Sequence, residues 1–389
     1  MSSANNDPVC LSAELIRRPS ITPMDAGALD ILKMHLAPLG FDCHRLTFTE
    51  PGTPDVDNLY ARFGSSQPHF CFAGHTDVVP PGNLLDWTSN PFEPEVRDGR
   101  LYGRGAADMK CAIAAFIAAT SRVLSVFGNK LPGSISLLIT GDEEGPAKNG
   151  TAKVVEWLKE HDETLDACLV GEPTNVAQIG DTIKIGRRGS MNVKITVHGT
   201  QGHVAYPDLA NNPVPVLLSY LKNLNDHIFD SGTKHFPPTN LEITSIDVGN
   251  KVTNLIPAKA TADLNIRFNN QHTGAELSNY LESARDQVSG KNNKIDLNFS
   301  ISGEAFLTPP GALTEIVSSA IIDIARIHTE LSTSGGTSDA RFIKDLCPVV
   351  ELGLLNETAH KANENVKIDD ILTITDIYER ILKSFFSLS

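Results

Sequence analysis

The sequence predicts an α/β protein with a smaller α+β unit inserted into it. Three observations carry that expectation. Short apolar runs alternate with helix-period stretches over the first half of the chain, the texture changes near Ile185, and after Pro309 and Pro310 the chain returns to long helix and short apolar strand. The parse is a discontinuous domain at residues 1–184 and 302–389, interrupted by an inserted unit at residues 185–301. A length of 389 residues suits two domains.

Within the first part, His69–His75, Ser134–Thr140 (SISLLIT) and Ala167–Val170 read as buried strands. Met109–Val126 and Thr151–His161 read as the helices between them. In the insert, Met191–Val197 (MNVKITV) alternates like a half-exposed strand, and Pro213–Leu224 is helical. Leu241–Val248 and Ala260–Phe268 follow as strands, Thr273–Val288 as a helix and Lys294–Ser302 as a closing strand. The order β-α-β-β-α-β is that of a ferredoxin-like sandwich. Leu313–His328, Pro348–Leu352 and Ile368–Phe386 complete the chain as helix, strand and helix.

Composition narrows the function classes. With 41% hydrophobic residues the chain buries real cores, and a net charge of −14 argues against a nucleic-acid binder or a partner of anionic membranes. Six cysteines stand singly with no C-x-x-C pair, which is neither a disulfide framework nor a cysteine zinc site. The N-terminus MSSANNDPVC has no basic segment followed by an apolar one, and the longest apolar run is Cys111–Thr120. That run is short of the ~20 residues needed to span a bilayer. The expectation is a cytoplasmic protein.

The polar residues that could do chemistry sit at strand ends. His75 and Asp77 in GHTDVVP are two apart, so on an extended segment both face one way. An imidazole and a carboxylate there suit zinc, or Asp77 orients His75; a plain turn is the bland alternative. Asp108 in GRGAADMK precedes a long Ala-rich helix and could simply cap it. No G-K-[ST] follows its glycines, which argues against a nucleotide loop. Asp142, Glu143 and Glu144 follow one apolar run, and Glu172 follows another, at the edge where open α/β sheets bind ligands. His360 in NETAHKANE again follows an apolar strand. Together His75, Asp108, Glu144, Glu172 and His360 supply two imidazoles and three carboxylates, the inventory two zinc ions need if one carboxylate bridges them. Glu143 is left over as a general base. In the insert, His203 stands in a glycine-punctuated loop, and Arg187, Arg188 and Arg267 suit an anionic substrate, although an Arg pair is often only solvated. No G-x-S-x-G elbow is present for a serine hydrolase.

The segments GHTDVVPPG, GRGAADMKCAIAAF, TGDEEG, GEPT, RRGSMNVKITVHGTQGHVAYP, NLIP, SGGTSDARF and LNETAHKANE resemble the co-catalytic zinc metallopeptidases of the aminoacylase and carboxypeptidase type. The likeness extends over essentially the whole chain, and its motifs are specific in combination. It implies a zinc-bearing α/β domain with an inserted lid that forms a homodimer contact, and two Zn²⁺ per chain, for which Co²⁺ can substitute. Asp108 would bridge the ions, one held also by His75 and Glu172, the other by Glu144 and His360. Glu143 would be the acid/base residue, Asp77 would orient His75, and His203 would reach into the partner subunit's site to hold the developing oxyanion. Arg187, Ser190, Tyr206, Asn254, Arg267, Thr337 and Asn356 resemble positions that hold the carboxylates and backbone of a small polycarboxylate substrate.

The opening LSAELIRRPSITP and the run from SGGTSDARFI to NETAHKANE are the most discriminating pieces. They imply hydrolysis of N-succinyl-LL-2,6-diaminopimelate to succinate and LL-2,6-diaminopimelate. Deacylation of N-acetylornithine or another N-acyl amino acid is the neighbouring reaction on the same metal centre. A zinc-binding dimeric scaffold is the non-enzymatic alternative. One departure from the pattern is Gly145 and Pro146 after the acidic pair, which suggests a differently shaped loop behind Glu144.

Overall fold

The computed structural model describes residues 6–288 and 294–388; Met1 to Asn5, where the N-terminal leader reading begins, lie outside them. The chain divides into two compact units, Met1–Ile185 with Thr308–Ser332 and Ser338–Ser389, and Gly186–Leu307 with Thr333–Thr337.

The first unit is built on an eight-stranded sheet. Its order is Asp42–Phe48, Val56–Phe63, Ser134–Thr140, His69–His75, Ala167–Val170, Val349–Glu351, Thr182–Lys184, Glu330–Ser332. The central strands His69–His75, Ser134–Thr140 and Ala167–Val170 are wholly buried, which is why they read as continuous apolar runs. They run parallel, with His75 opposite Thr140 and Ala73 opposite Val170, so their C-terminal ends open on one edge. The first two strands and the helices Pro8–Ile16 and Ala28–Leu36 have no counterpart in the sequence reading. Asp42–Phe48 is a largely exposed edge strand with charged and polar residues between apolar ones.

The helix expected at Met109–Val126 is Cys111–Phe127, preceded by a wide turn at Ala106–Lys110. By length and composition Ala106–Lys130 is apolar enough to cross a membrane, which extends the short run seen in the sequence. Its character is that of a core helix. Every residue from Cys111 to Thr120 is buried, and it packs against Pro8–Ile16 and Ile368–Phe385. Phe116 stacks on Phe72 of the sheet with centroids 4.3 Å apart. All six cysteines are free thiols.

The second unit has the β-α-β-β-α-β order. Its antiparallel sheet runs Asn240–Asp247, Lys259–Phe268, Gly189–His198, Lys294–Gly303. The alternation in MNVKITV places Met191, Val193, Ile195 and Val197 inward, against Leu217, Tyr220, Leu221 and Leu224 of helix Pro213–Asn225 and Leu277 and Leu281 of helix Gly274–Val288. The unit runs to Leu307 rather than 301 because Phe306–Leu307 pairs antiparallel with Gly186–Arg187. Thr333–Thr337 joins it through Arg187, whose Nη1 donates to the Gly336 carbonyl at 3.1 Å.

Candidate metal centre

Three parallel strand ends and two loops of the first unit converge on one polar cluster. His75 is the last residue of its strand and 1% exposed. Its Nε2 lies 3.1 Å from Asp108 Oδ1 and 3.7 Å from Glu172 Oε1. On the other side of Asp108, Oδ2 is 3.2 Å from His360 Nε2, which is 2.8 Å from Glu144 Oε1. The Asp108 carboxylate thus has one oxygen on each imidazole. The donor atoms of His75, Asp108 and Glu144 lie within 4.8 Å of one another, as do those of His75, Glu143 and Glu172.

Each of these side chains is set by local structure. His75 Nδ1 is 2.9 Å from the backbone carbonyl of Asp77 and 3.5 Å from its carboxylate, so the carbonyl is the nearer orienting group. The Asp77 carboxylate accepts from Thr22 Oγ1 at 2.7 Å and from the Glu144 N–H at 3.1 Å. It therefore also holds the loop that presents the acidic pair. Asp108 does not cap the following helix: Lys110 is the N-cap residue, and Asp108 has φ −127° and ψ 95° inside the turn. His360 sits in the left-handed region at φ 62°, an unusual position for a residue with a Cβ.

The acidic trio divides by role. Asp142 is 3% exposed and accepts the N–H groups of Lys148 and Asn149 at 2.8 and 3.0 Å. It shapes the loop, while Glu143 and Glu144 face the cluster. Gly145 is required there, because a Cβ would fall 2.7 Å from both Asp142 Oδ1 and Thr22 Cγ2.

The electrostatics describe a site short of positive charge. Burial, with the Asp108 and Glu143 carboxylates nearby, pushes Glu172 well above the usual range, and its Oε1 is buried with no hydrogen-bond partner. Burial raises Glu143 to about 8; the His75 field opposes this, while Asp339, Asp108 and Glu144 add to it. Burial alone would depress His75, but hydrogen bonds to Asp108 and Asp77 outweigh it and hold the ring well above its ordinary value. Hydrogen bonds to Asp108 and Glu144 hold His360 at about 10. A dication would balance these carboxylates. Imidazole nitrogens and carboxylate oxygens with an orphaned Glu172 oxygen are the donor set of a borderline divalent ion.

Sequence reasoning missed Glu364, Thr22 and Asp339. Asp339 is buried, its Oδ2 bonded to Thr151 Oγ1 at 2.6 Å and its Oδ1 without a partner. Its local signal was a lone acid inside TSDARF.

The remaining expected residues, apart from exposed Asn356 of the first unit, belong to the second unit. His203 pairs with Leu255 in a two-residue bridge, beside Asn254, and its ring lies 5.7 Å from that of Tyr206; all three are exposed. Ser190 faces Arg267 across the sheet, and burial together with the Arg267 charge lowers the pKa of Arg188. Arg187 is 8% exposed, and Thr337 lies in the strap that Arg187 touches.

A model of peptidase family M20/M25/M40 matches residues 71–384. Curated proteins named succinyl-diaminopimelate desuccinylase are similar end to end. That of Parvibaculum lavamentivorans is 55% identical over 382 residues, covering 98% of this chain and 96% of that protein. That of Rhodospirillum centenum is 56% identical over 381 residues, covering 98% of each. Among solved structures, the M20 family metallo-carboxypeptidase Sso-CP2 from Sulfolobus solfataricus superposes with a TM-score of 0.78 at 18% identity, over 98% of this chain and 100% of that one. Aminopeptidase PepT from Bacillus cereus gives 0.79 at 19% identity, over 98% and 99%. A family match over most of the chain, with relatives more than half identical along its whole length, places this metal-dependent amidohydrolase in peptidase family M20/M25/M40.

Proposed function

We propose that the chain hydrolyses N-succinyl-LL-2,6-diaminopimelate to succinate and LL-2,6-diaminopimelate, a step of lysine biosynthesis, in the cytoplasm. The observation that carries the chemistry is the Asp108 carboxylate with one oxygen on His75 and the other on His360. The choice of substrate rests on the relatives, which carry the name succinyl-diaminopimelate desuccinylase at 50–56% identity.

In this reading His75 and Glu172 would hold one Zn²⁺ and Glu144 and His360 a second, with Asp108 serving both, and Co²⁺ could replace them. When bound, such a pair would supply Lewis-acid polarisation of the amide carbonyl and a water whose pKa is lowered from 15.7 towards about 7. Glu143 accepts the proton that the attacking water loses as its oxygen bonds to the carbonyl carbon. Glu143 then returns that proton to the amide nitrogen, so that the C–N bond breaks with a neutral amine leaving. Asp77 keeps His75 in one orientation. His203 donates to the oxygen on which charge develops, and Arg187, Ser190, Tyr206, Asn254, Arg267, Thr337 and Asn356 hold the substrate's carboxylates and backbone.

A homodimer through the unit Gly186–Leu307 belongs to the same proposal. Support comes from its sheet, whose outer strands Asn240–Asp247 and Lys294–Gly303 expose Ile246 and Ile301 at 52% and 44%. Steady-state kinetics on metal-reconstituted protein test the substrate assignment. We expect kcat/KM for N-succinyl-LL-2,6-diaminopimelate to exceed that for N-acetylornithine on the order of 10²-fold or more. Faster turnover of N-acetylornithine would move the assignment to a deacetylase. Two bound metals with no hydrolysis of any N-acyl amino acid would favour a scaffold.

A further inference from the structure

We infer that Glu364 is a positioning residue of the metal centre: its buried carboxylate holds the turn that aims Asp108 and couples that turn to the loop bearing His360. The inference rests on the reading of Asp108 and His360 as metal ligands.

The turn before helix Cys111–Phe127 cannot satisfy its own backbone. Gly105 is left-handed at φ 85°, and Asp108 departs from helical dihedrals. The N–H groups of Gly105, Ala107 and Asp108 all point to Glu364 instead, at 2.9, 2.8 and 3.1 Å. Arg104 Nη1 adds a fourth bond at 2.8 Å. Each oxygen accepts two donors: Oε2 from Arg104 and Gly105, Oε1 from Ala107 and Asp108. Glu364 is 0% exposed, so no water substitutes for these bonds.

The same residue closes the circuit from the other side. Its backbone carbonyl accepts the Gly103 N–H at 2.9 Å, and the Lys361 carbonyl receives Arg104 Nη1 at 3.3 Å. Residues 360–364 thus carry both the imidazole that meets Asp108 Oδ2 and the carboxylate that fixes the Asp108 backbone. Displacing Glu364 releases Asp108 and His360 from one another. Only a carboxylate serves here, because it accepts on both oxygens, whereas an amide turns an NH₂ group toward two of the four donors.

The test uses the full chain, stripped of metal with a chelator and titrated with Zn²⁺ calorimetrically and with Co²⁺ by visible absorption. For Glu364→Gln we expect metal affinity to fall about 10–100-fold. We also expect a changed Co²⁺ spectrum at saturation, because the ligands are displaced. Leu382→Ala, a cavity in the buried face of helix Ile368–Phe385, lowers stability and keeps the wild-type affinity and spectrum. Glu364→Asp keeps the acceptors on a shorter arm and falls between wild type and Gln. If the Gln variant does not fold, the Asp variant carries the test. Wild-type affinity and spectrum in the folded Glu364 variants overturn the inference, as does an equal loss in Leu382→Ala. A wild-type chain that binds no divalent metal overturns the metal-centre reading itself, and this inference with it.

Discussion

The two units present their polar residues in opposite ways. In the α/β unit three parts of the cluster are fixed from behind. His75 is held through Asp77, the Glu144 loop by the Asp77 carboxylate, and the Asp108 turn by Glu364. In the unit Gly186–Leu307, His203, Tyr206 and Asn254 stand exposed around a two-residue bridge. A centre that concentrates carboxylates in a buried pocket must be organised before anything binds, because unpaired buried charge is costly. The exposed His203, Tyr206 and Asn254 carry no such cost, whereas Arg187 and Ser190 of the same unit are buried. The contrast predicts that changes to the ligands of the first region, or to the groups that hold them, act through metal retention, whereas changes to Glu143 and to the second region act through turnover or substrate binding with the metal intact.

The largest effect is expected from Asp108→Ala, which removes the carboxylate shared by both imidazoles. Turnover should fall on the order of 10³-fold or more, with fewer than two metals retained by elemental analysis. Retention of two metals would break the contrast at its strongest point. Next is His203→Ala, expected to lower kcat by about 10²–10³ while the metal content stays at the wild-type value. Loss of metal in that variant would show that the second region is not purely a substrate surface. Arg267→Met sharpens the contrast further. It should reduce kcat/KM for the succinylated substrate by about 10–100-fold, the worth of one charge-assisted hydrogen bond.

The smallest effect concerns stability in the first unit alone. His69 opens the strand that ends at His75 and is 0% exposed, with Nδ1 2.8 Å from the Thr164 carbonyl and Nε2 2.8 Å from Ser136 Oγ. Burial holds its pKa at about 4, below its ordinary 6.5. A depressed folded pKa means that the neutral ring stabilises the fold fully above pH 6.5 and that this is lost as pH falls through 4. Between pH 7 and 5 the loss amounts to about 2 kcal/mol. Urea unfolding at the two pH values should therefore show a steeper acid sensitivity in wild type than in His69→Gln. Equal slopes would mean that the ring is not held neutral.

Much of this centre was legible in the sequence because parallel buried strands announce themselves. FCFAGH, SISLLIT and ACLV each break from apolar to polar at one residue, and their shared direction brings His75, Glu143, Glu144 and Glu172 to one edge. The inserted unit was legible from the alternation in MNVKITV, whose inward residues form its core. What stayed hidden depended on contacts distant in sequence. Asp142 and Glu143 are chemically alike and adjacent, and only the loop returning Lys148 and Asn149 onto Asp142 separates the loop anchor from the residue facing the cluster. Asp108 taken alone reads first as a helix cap, but the turn at Ala106–Lys110 sets the helix start later. Glu364 bonds to residues some 260 positions earlier, and nothing local in HKANE marks it.

The central claim is that a metal-bearing cluster in the first unit hydrolyses an amide with Glu143 moving the proton. Glu143→Gln tests it most directly, since the change keeps size and removes only the titrating group. The variant should bind two equivalents of Zn²⁺ as wild type does and lose about 10²–10⁴-fold in turnover of N-succinyl-LL-2,6-diaminopimelate. Near-wild-type turnover with the metals in place would contradict it.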